Sequence, residues 1–164
     1  MVSFEEIQAA YYMVAATGVL VAAAYYVVNM RATLQTRQAQ LFMQIYNRVQ
    51  EPDFLPSWNE IMQTNFKDYQ EFKLKIVNDP SKITSLNKIV AFYEGVGLLV
   101  KENLIDIRLV AELMCGVTRK FWEKIEPVIE EYEKKADFRR YTSETKYLYN
   151  RLMEYLATHP ELQT

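Results

Sequence analysis

The chain is poor in the residues that build metal centres, disulfides and flexible loops. It has one histidine (His159), one cysteine (Cys115), four glycines and five prolines. A lone cysteine excludes an intrachain disulfide, and protein metal sites need His, Cys or carboxylates clustered at ligand spacing. Few glycines and prolines favour long helices over an all-β architecture. We therefore expect an all-α fold with no metal, no cofactor and no catalytic residue.

The chain also lacks an excess of basic charge. It carries 19 Lys and Arg against 21 Asp and Glu, for a formal net charge of −2. Nucleic-acid-binding domains normally show a basic patch or stripe. We therefore expect no nucleic acid among the partners.

Charge is absent altogether from Ile7 to Met30. A helix that crosses the hydrocarbon core of a bilayer needs roughly 20 mostly apolar residues, and this run is long enough. The sequence therefore predicts an N-terminus and transmembrane helix over residues 1–30, a helical stalk over 31–50 and a multi-helix domain over 51–164. The lipid bilayer is accordingly an expected partner.

The apolar run has two other interpretations. Ala22 to Ala24 resemble the small residues before a signal-peptidase site, but no Lys or Arg precedes the run and it continues through Val28. A buried helix of a soluble protein would also be apolar, although so long a run without charge is less typical of one. A membrane span is the favoured interpretation.

The charges that flank the run differ in sign. Glu5 and Glu6 precede it, whereas Arg31, Arg37 and Arg48 follow with no acid before residue 50. Basic residues next to a span usually remain in the cytoplasm. This pattern predicts a cell-membrane protein with its N-terminus outside and its C-terminal domain in the cytoplasm.

Small residues share one face of the predicted span. Ala15, Gly18 and Ala22 follow helical spacing, and Asn29 lies further along the same stripe. Small residues four apart let two helix backbones approach closely. The stripe predicts packing against another membrane protein or a second copy of the chain, while a lipid-facing helix rich in alanine is the alternative.

Apolar residues at helical spacing continue after the stalk. Turn residues and caps divide this region, with Asp68 and Asp106 as expected N-caps and Gly116 as an expected break. The predicted helices cover residues 54–63, 69–77, 82–102, 107–115, 117–135 and 143–158.

Glu94 is the one charged residue in an apolar stretch from Ile89 to Val100. A buried carboxylate has to find a partner or take up a proton. Three alternatives follow: a structural ion pair with a base such as Arg119, Lys120 or Lys124, a position at the rim of the core, or a polar point in a pocket. Trp122, by contrast, lies on an amphipathic helix and is expected to be a core residue.

Several sequence blocks resemble a known family. They are Gln38-Ala39-Gln40, Glu51-Pro52-Asp53-Phe54 with Trp58, Phe92 to Lys101, Leu104-Ile105-Asp106 and Phe121 to Ile129. Together they are similar to a widespread family of membrane-anchored helical proteins that is catalogued as a domain of unknown function. The resemblance implies a single-pass anchor and an α-helical cytoplasmic domain, and it supplies no activity and no site.

Two functions are compatible with these features. The favoured one is an interaction or scaffold protein at the membrane, such as an accessory subunit of a larger complex. The alternative is a membrane-anchored sensor or enzyme with a small-ligand pocket near Glu94 and Trp122.

Overall fold

The described part of the chain, residues 3–138 and 140–162 of a computed structural model, contains helices and no strand. Short turns of π-helix (Lys73–Val77) and 3-10 helix (Pro160–Leu162) accompany the α-helices. The α-helices are α1 (Phe4–Val49), α2 (Phe54–Gln63), α3 (Tyr69–Phe72), α4 (Pro80–Lys101), α5 (Ile107–Ala136) and α6 (Ser143–Thr158). The all-α prediction is confirmed.

Aspartates begin three of these helices, as N-caps should. Asp68 accepts a hydrogen bond from the backbone N–H of Glu71, and Asp106 accepts one from Arg108. Asp79 does the same at α4, where Pro80 occupies the first helical turn. Each cap satisfies a backbone donor that the helix itself leaves unpaired. The predicted caps Asp68 and Asp106 are confirmed.

Gly116 does not break the helix that contains it, so that prediction was wrong. One helix, α5, runs from Ile107 to Ala136. Glycine inside a helix costs only about 1 kcal/mol relative to alanine. On either side of Gly116, Met114 and Thr118 are buried on the same helix. Burial of the apolar face of α5 therefore outweighs the local cost of the glycine.

The contacts within the chain define two compact units, and the boundary falls inside α1 between Gln40 and Leu41. The first unit is the N-terminal part of α1. Its apolar side chains, such as Val14 and Leu20, are exposed. The hydroxyl of Thr17 donates to the carbonyl of Met13, so this polar group is satisfied within the helix.

The second unit begins at Leu41, ten residues before the domain start predicted at residue 51. Phe42 is buried in its core, and Ile45 and Val49 pack against that core. The last turns of α1 therefore belong to the folded domain. A fragment that starts at residue 51 would lose this apolar surface.

The core of the second unit is built around α4, which packs against both α2 and α6. Helix α6 also packs against α5. Tyr93 of α4 stacks on Phe121 of α5 with ring centroids 4.8 Å apart. Aromatic pairs in such contact add to the stability that apolar burial provides.

Helices α1 and α4 are both long and apolar enough to cross a membrane. None of the apolar stretch of α1 is buried in the protein, whereas 44% of that of α4 is. Core helices of soluble proteins and signal sequences have the same length and composition. Burial assigns α4 to the folded core.

Candidate functional site

Two carboxylates from neighbouring helices hold the N-terminus of α6. Glu94 of α4 accepts hydrogen bonds from the backbone N–H and the hydroxyl of Thr145, at 2.6 and 2.7 Å. Glu133 of α5 accepts the corresponding pair from Thr142, at 2.9 and 2.8 Å. We call Glu94 and Glu133, with the two threonines, the acidic clamp. It caps α6 with side chains that lie on other helices, since Thr142 makes no side-chain cap of its own.

The structure therefore gives Glu94 a different partner from the predicted bases. Arg119 lies 3.5 Å from Glu123, one turn along α5. Lys124 donates to the carbonyl of Met62 at 3.0 Å, and its partial burial lowers its pKa. Glu94 instead meets the N-terminus of a helix, where unpaired N–H groups and the helix dipole favour a carboxylate. The expected ion pair was wrong, and the half-buried position of Glu94 has a structural explanation.

A salt bridge closes the same junction from the outside. Lys101, the last residue of α4, donates to both carboxylate oxygens of Glu144 at 3.0 Å. Arg140 contributes a longer contact of 3.3 Å. The hydrogen bonds from the Lys101 ammonium hold the pKa of Glu144 below its ordinary value of 4.5, although desolvation opposes this shift.

Gly97 lets α4 and α6 approach each other at this junction. A Cβ atom at this position would overlap the backbone carbonyl of Glu144. At Gly95 a Cβ atom would meet nothing within 4 Å. Of these two glycines, Gly97 is the one that the close approach of the helices requires.

Trp122 is a core residue, as predicted, and it is 2% exposed. It contributes to the lining of a cavity of about 270 Å³ that Glu133 and Thr142 also line. Glu94 is not among the lining residues of this cavity. A ligand pocket near Glu94 and Trp122 stays a prediction.

A second cavity of about 320 Å³ lies in the residues from Leu41 onward. Its lining consists chiefly of aromatic and aliphatic side chains. They include Tyr46, Phe54, Trp58, Phe92, Tyr93 and Met114. Ligand pockets in proteins are about 300–1,000 Å³ and mostly apolar, and this cavity falls at the lower end of that range. No local sequence pattern predicts it, because its residues come from four helices that only the fold brings together.

The wall of this second cavity contains a buried hydroxyl. Burial raises the pKa of Tyr93 well above its ordinary value, and the neighbouring Trp58 and Thr118 oppose that shift. Neither the indole nitrogen of Trp58 nor the hydroxyl of Thr118 has a hydrogen-bond partner of good geometry in the described part of the chain. Because burial raises its pKa, Tyr93 remains a neutral phenol at physiological pH.

The small-residue face of α1 is open. Ala15, Gly18, Ala22 and Asn29 are all exposed, and a Cβ atom at Gly18 would meet nothing within 4 Å. The carbonyl of Asn29 accepts a hydrogen bond from the hydroxyl of Thr33 at 2.9 Å. The face is available for a partner helix, and the packing predicted from its spacing stays a prediction.

The candidate reactive side chains do not gather into one centre. His159 stacks on Tyr155 with ring centroids 4.1 Å apart, and Cys115 is a half-buried free thiol that packs against the core. Within residues 3–138 and 140–162, no three His, Cys, Asp or Glu residues lie in an arrangement that could hold a metal ion.

These features define the class of protein: an all-α chain with a long apolar N-terminal helix and a helical domain whose last helix is capped from two neighbours. The family described as Domain of unknown function (DUF4760) matches residues 12–152, and the chain belongs to it. Among curated proteins and among solved structures, no match to the chain was found.

Proposed function

We propose that this chain is a single-pass, membrane-anchored interaction or scaffold protein, and an accessory subunit of a larger membrane complex. The apolar stretch of α1 carries this proposal, because none of it is buried within the protein. Leaving so much apolar surface in water is costly at about 25 cal/mol per Å². A bilayer removes that cost.

The charges that flank the stretch support one orientation. Glu5 and Glu6 lie in the first turn of α1, and Arg31 and Arg37 follow the apolar residues. By the positive-inside rule, the N-terminus lies outside and the helical domain lies in the cytoplasm.

The orientation is tested with a reporter enzyme fused after Thr164 that is active only in the cytoplasm. We expect activity from this fusion and none when the same reporter precedes Met1. The reverse result would overturn the orientation drawn from the flanking charges.

The open face of α1 supports the interaction role. Ala15, Gly18 and Ala22 present little side-chain bulk, and small residues are enriched where transmembrane helices pack closely. The partner is another membrane protein or a second copy of the chain. In either case the contact would be made by backbone and small side chains.

Purification from native membranes in a mild detergent tests the interaction. We expect stoichiometric co-purification of a second membrane protein, or crosslinked dimers of the chain itself. Gly18→Leu should reduce that yield, whereas Val19→Leu, one position away from the stripe, should not. Equal yields from both variants would mean that the stripe faces lipid.

A further inference from the structure

The cavity next to Trp58 and Tyr93 has a lining that selects for one class of molecule. None of its described lining residues is charged, although charged residues make up 24% of the chain. A lining without Lys, Arg, Asp or Glu offers no opposite charge to an ionic group. Neutral groups such as the amide of Asn59 would offset only part of the desolvation cost of taking such a group in.

Its volume sets the size of the occupant. A cavity of about 150 Å³ lined by apolar side chains binds benzene. The cavity of about 320 Å³ has room for an apolar molecule of about twice that size.

The mouth of the cavity is also apolar. Leu55 and Leu113 are 56% and 55% exposed, and Val117 is 40% exposed. All three line the cavity. A molecule that enters would cover side chains that are otherwise in water, and this burial favours binding.

We propose that this cavity binds a small, uncharged hydrocarbon ligand, a chain or ring system about twice the size of benzene. The ligand contacts the aromatic walls formed by Trp58, Phe92 and Tyr93, and it lies beneath the aliphatic side chains at the mouth. This site is separate from the acidic clamp. It involves only residues from Leu41 onward, so it does not depend on the proposed membrane role.

Trp58 provides a direct readout, because it lines the cavity and the chain has only two tryptophans. The full chain, reconstituted in phosphatidylcholine nanodiscs, is titrated with decanol brominated at its terminal carbon. Bromine quenches indole fluorescence on contact. We expect saturable quenching that is absent from Trp58→Phe, and quenching that does not saturate or that survives in Trp58→Phe would overturn the proposal.

Variants at the mouth test the location of the ligand. Val117→Phe and Leu55→Phe each add at least three carbon atoms at the mouth, so they should displace part of the ligand and weaken binding about tenfold. Leu98→Phe is the matched control, since Leu98 is 47% exposed on α4 and does not line the cavity. Unchanged affinity in both mouth variants would show that the ligand binds elsewhere.

Two further titrations define the ligand class and its source. Brominated decanoate should bind at least about tenfold more weakly than the alcohol, and equal affinity would contradict the uncharged class. Nanodiscs that contain phosphatidylcholine with brominated acyl chains test the bilayer as a source. Quenching of Trp58 by these lipids in the absence of the alcohol would identify the ligand as a lipid acyl chain. Quenching by the alcohol but not by the lipids would identify it as a free molecule.

Discussion

Helices α1 and α4 both have the length and composition of a membrane span, yet they have different environments in the structure. The apolar stretch of α1 is entirely exposed, whereas 44% of that of α4 is buried in the protein core. The difference lies in their polar residues. Helix α4 carries Ser85, Lys88 and Glu94, and each of them bonds to a residue of another helix or its cap. Composition alone does not distinguish a core helix from a membrane span. Polar side chains that bond to other helices identify α4 as a core helix.

A matched pair of leucines should produce the largest difference between the two helices. Leu86 of α4 is fully buried and Leu20 of α1 is 71% exposed. Leu86→Ala should lower the free energy of unfolding of the helical domain by about 2–5 kcal/mol through lost burial and a new cavity. Leu20→Ala should leave it unchanged. Thermal and denaturant unfolding of the full chain in nanodiscs measure both, and a similar loss from Leu20→Ala would mean that α1 also packs in the protein.

The glycines of α4 give the next largest effect. Gly97→Ala places a methyl group against the carbonyl of Glu144, and forcing α4 and α6 apart should cost about 1–3 kcal/mol. Gly95→Ala meets open space and should raise the free energy of unfolding by about 0.5–1 kcal/mol, because alanine favours helix. Denaturant midpoints measure the two variants. If both changed stability in the same direction, the close approach at Gly97 would not control helix packing.

Glu94 provides a third difference, because a charged residue in a core helix needs a partner. Glu94→Ala leaves the N–H and hydroxyl of Thr145 unpaired and should cost about 1–2 kcal/mol, as the loss of an N-cap does. Glu94→Gln keeps an accepting oxygen and should cost less. Helical content and melting temperature measure both variants. A basic partner on α5 would instead make the Gln variant nearly as damaging as the Ala variant.

The smallest effect concerns the end of α4, where Lys101 holds Glu144. Because the pKa of Glu144 is lower in the folded state than its ordinary value of 4.5, the salt bridge stabilises the fold above that pH. This contribution is lost as the pH falls through the folded pKa. The pair is partly exposed, so we expect less than about 1 kcal/mol. Lys101→Met should reduce the loss of stability below pH 4.5, and an unchanged pH profile would exclude this pair as a source of acid sensitivity.

Local signals in the sequence predicted most of the fold. The boundaries of α2 and α6 and the caps at Asp68 and Asp106 agree with the structure, because turn chemistry and apolar spacing act over a few residues. Gly116 failed as a break because packing along the whole of α5 decides that helix. The start of the compact unit at Leu41 likewise depends on contacts made far along the chain.

The candidate sites depended on contacts between distant residues, and the sequence predicted less of them. Glu94 was correctly singled out as an unusual residue, but its partner Thr145 lies 51 positions away. Glu133 and Thr142 were missed, since neither interrupts an apolar pattern. The cavity at Trp58 was missed because side chains from four helices form it. The apolar stretch of α1 was visible because a single uninterrupted segment contains it.

The acidic clamp also has a consequence for how the domain folds. Helix α6 has 16 residues, little more than the length of ~12–15 residues below which an isolated helix is marginal in water. Its N-terminal donors are satisfied by side chains of α4 and α5, which are in place only when those helices have already formed. We therefore expect α6 to assemble last and to unfold first, so that its amide hydrogens exchange before those of α4. A synthetic peptide covering residues 143–158 should show little helix by circular dichroism, because in the protein the neighbouring helices α4 and α5 stabilise α6.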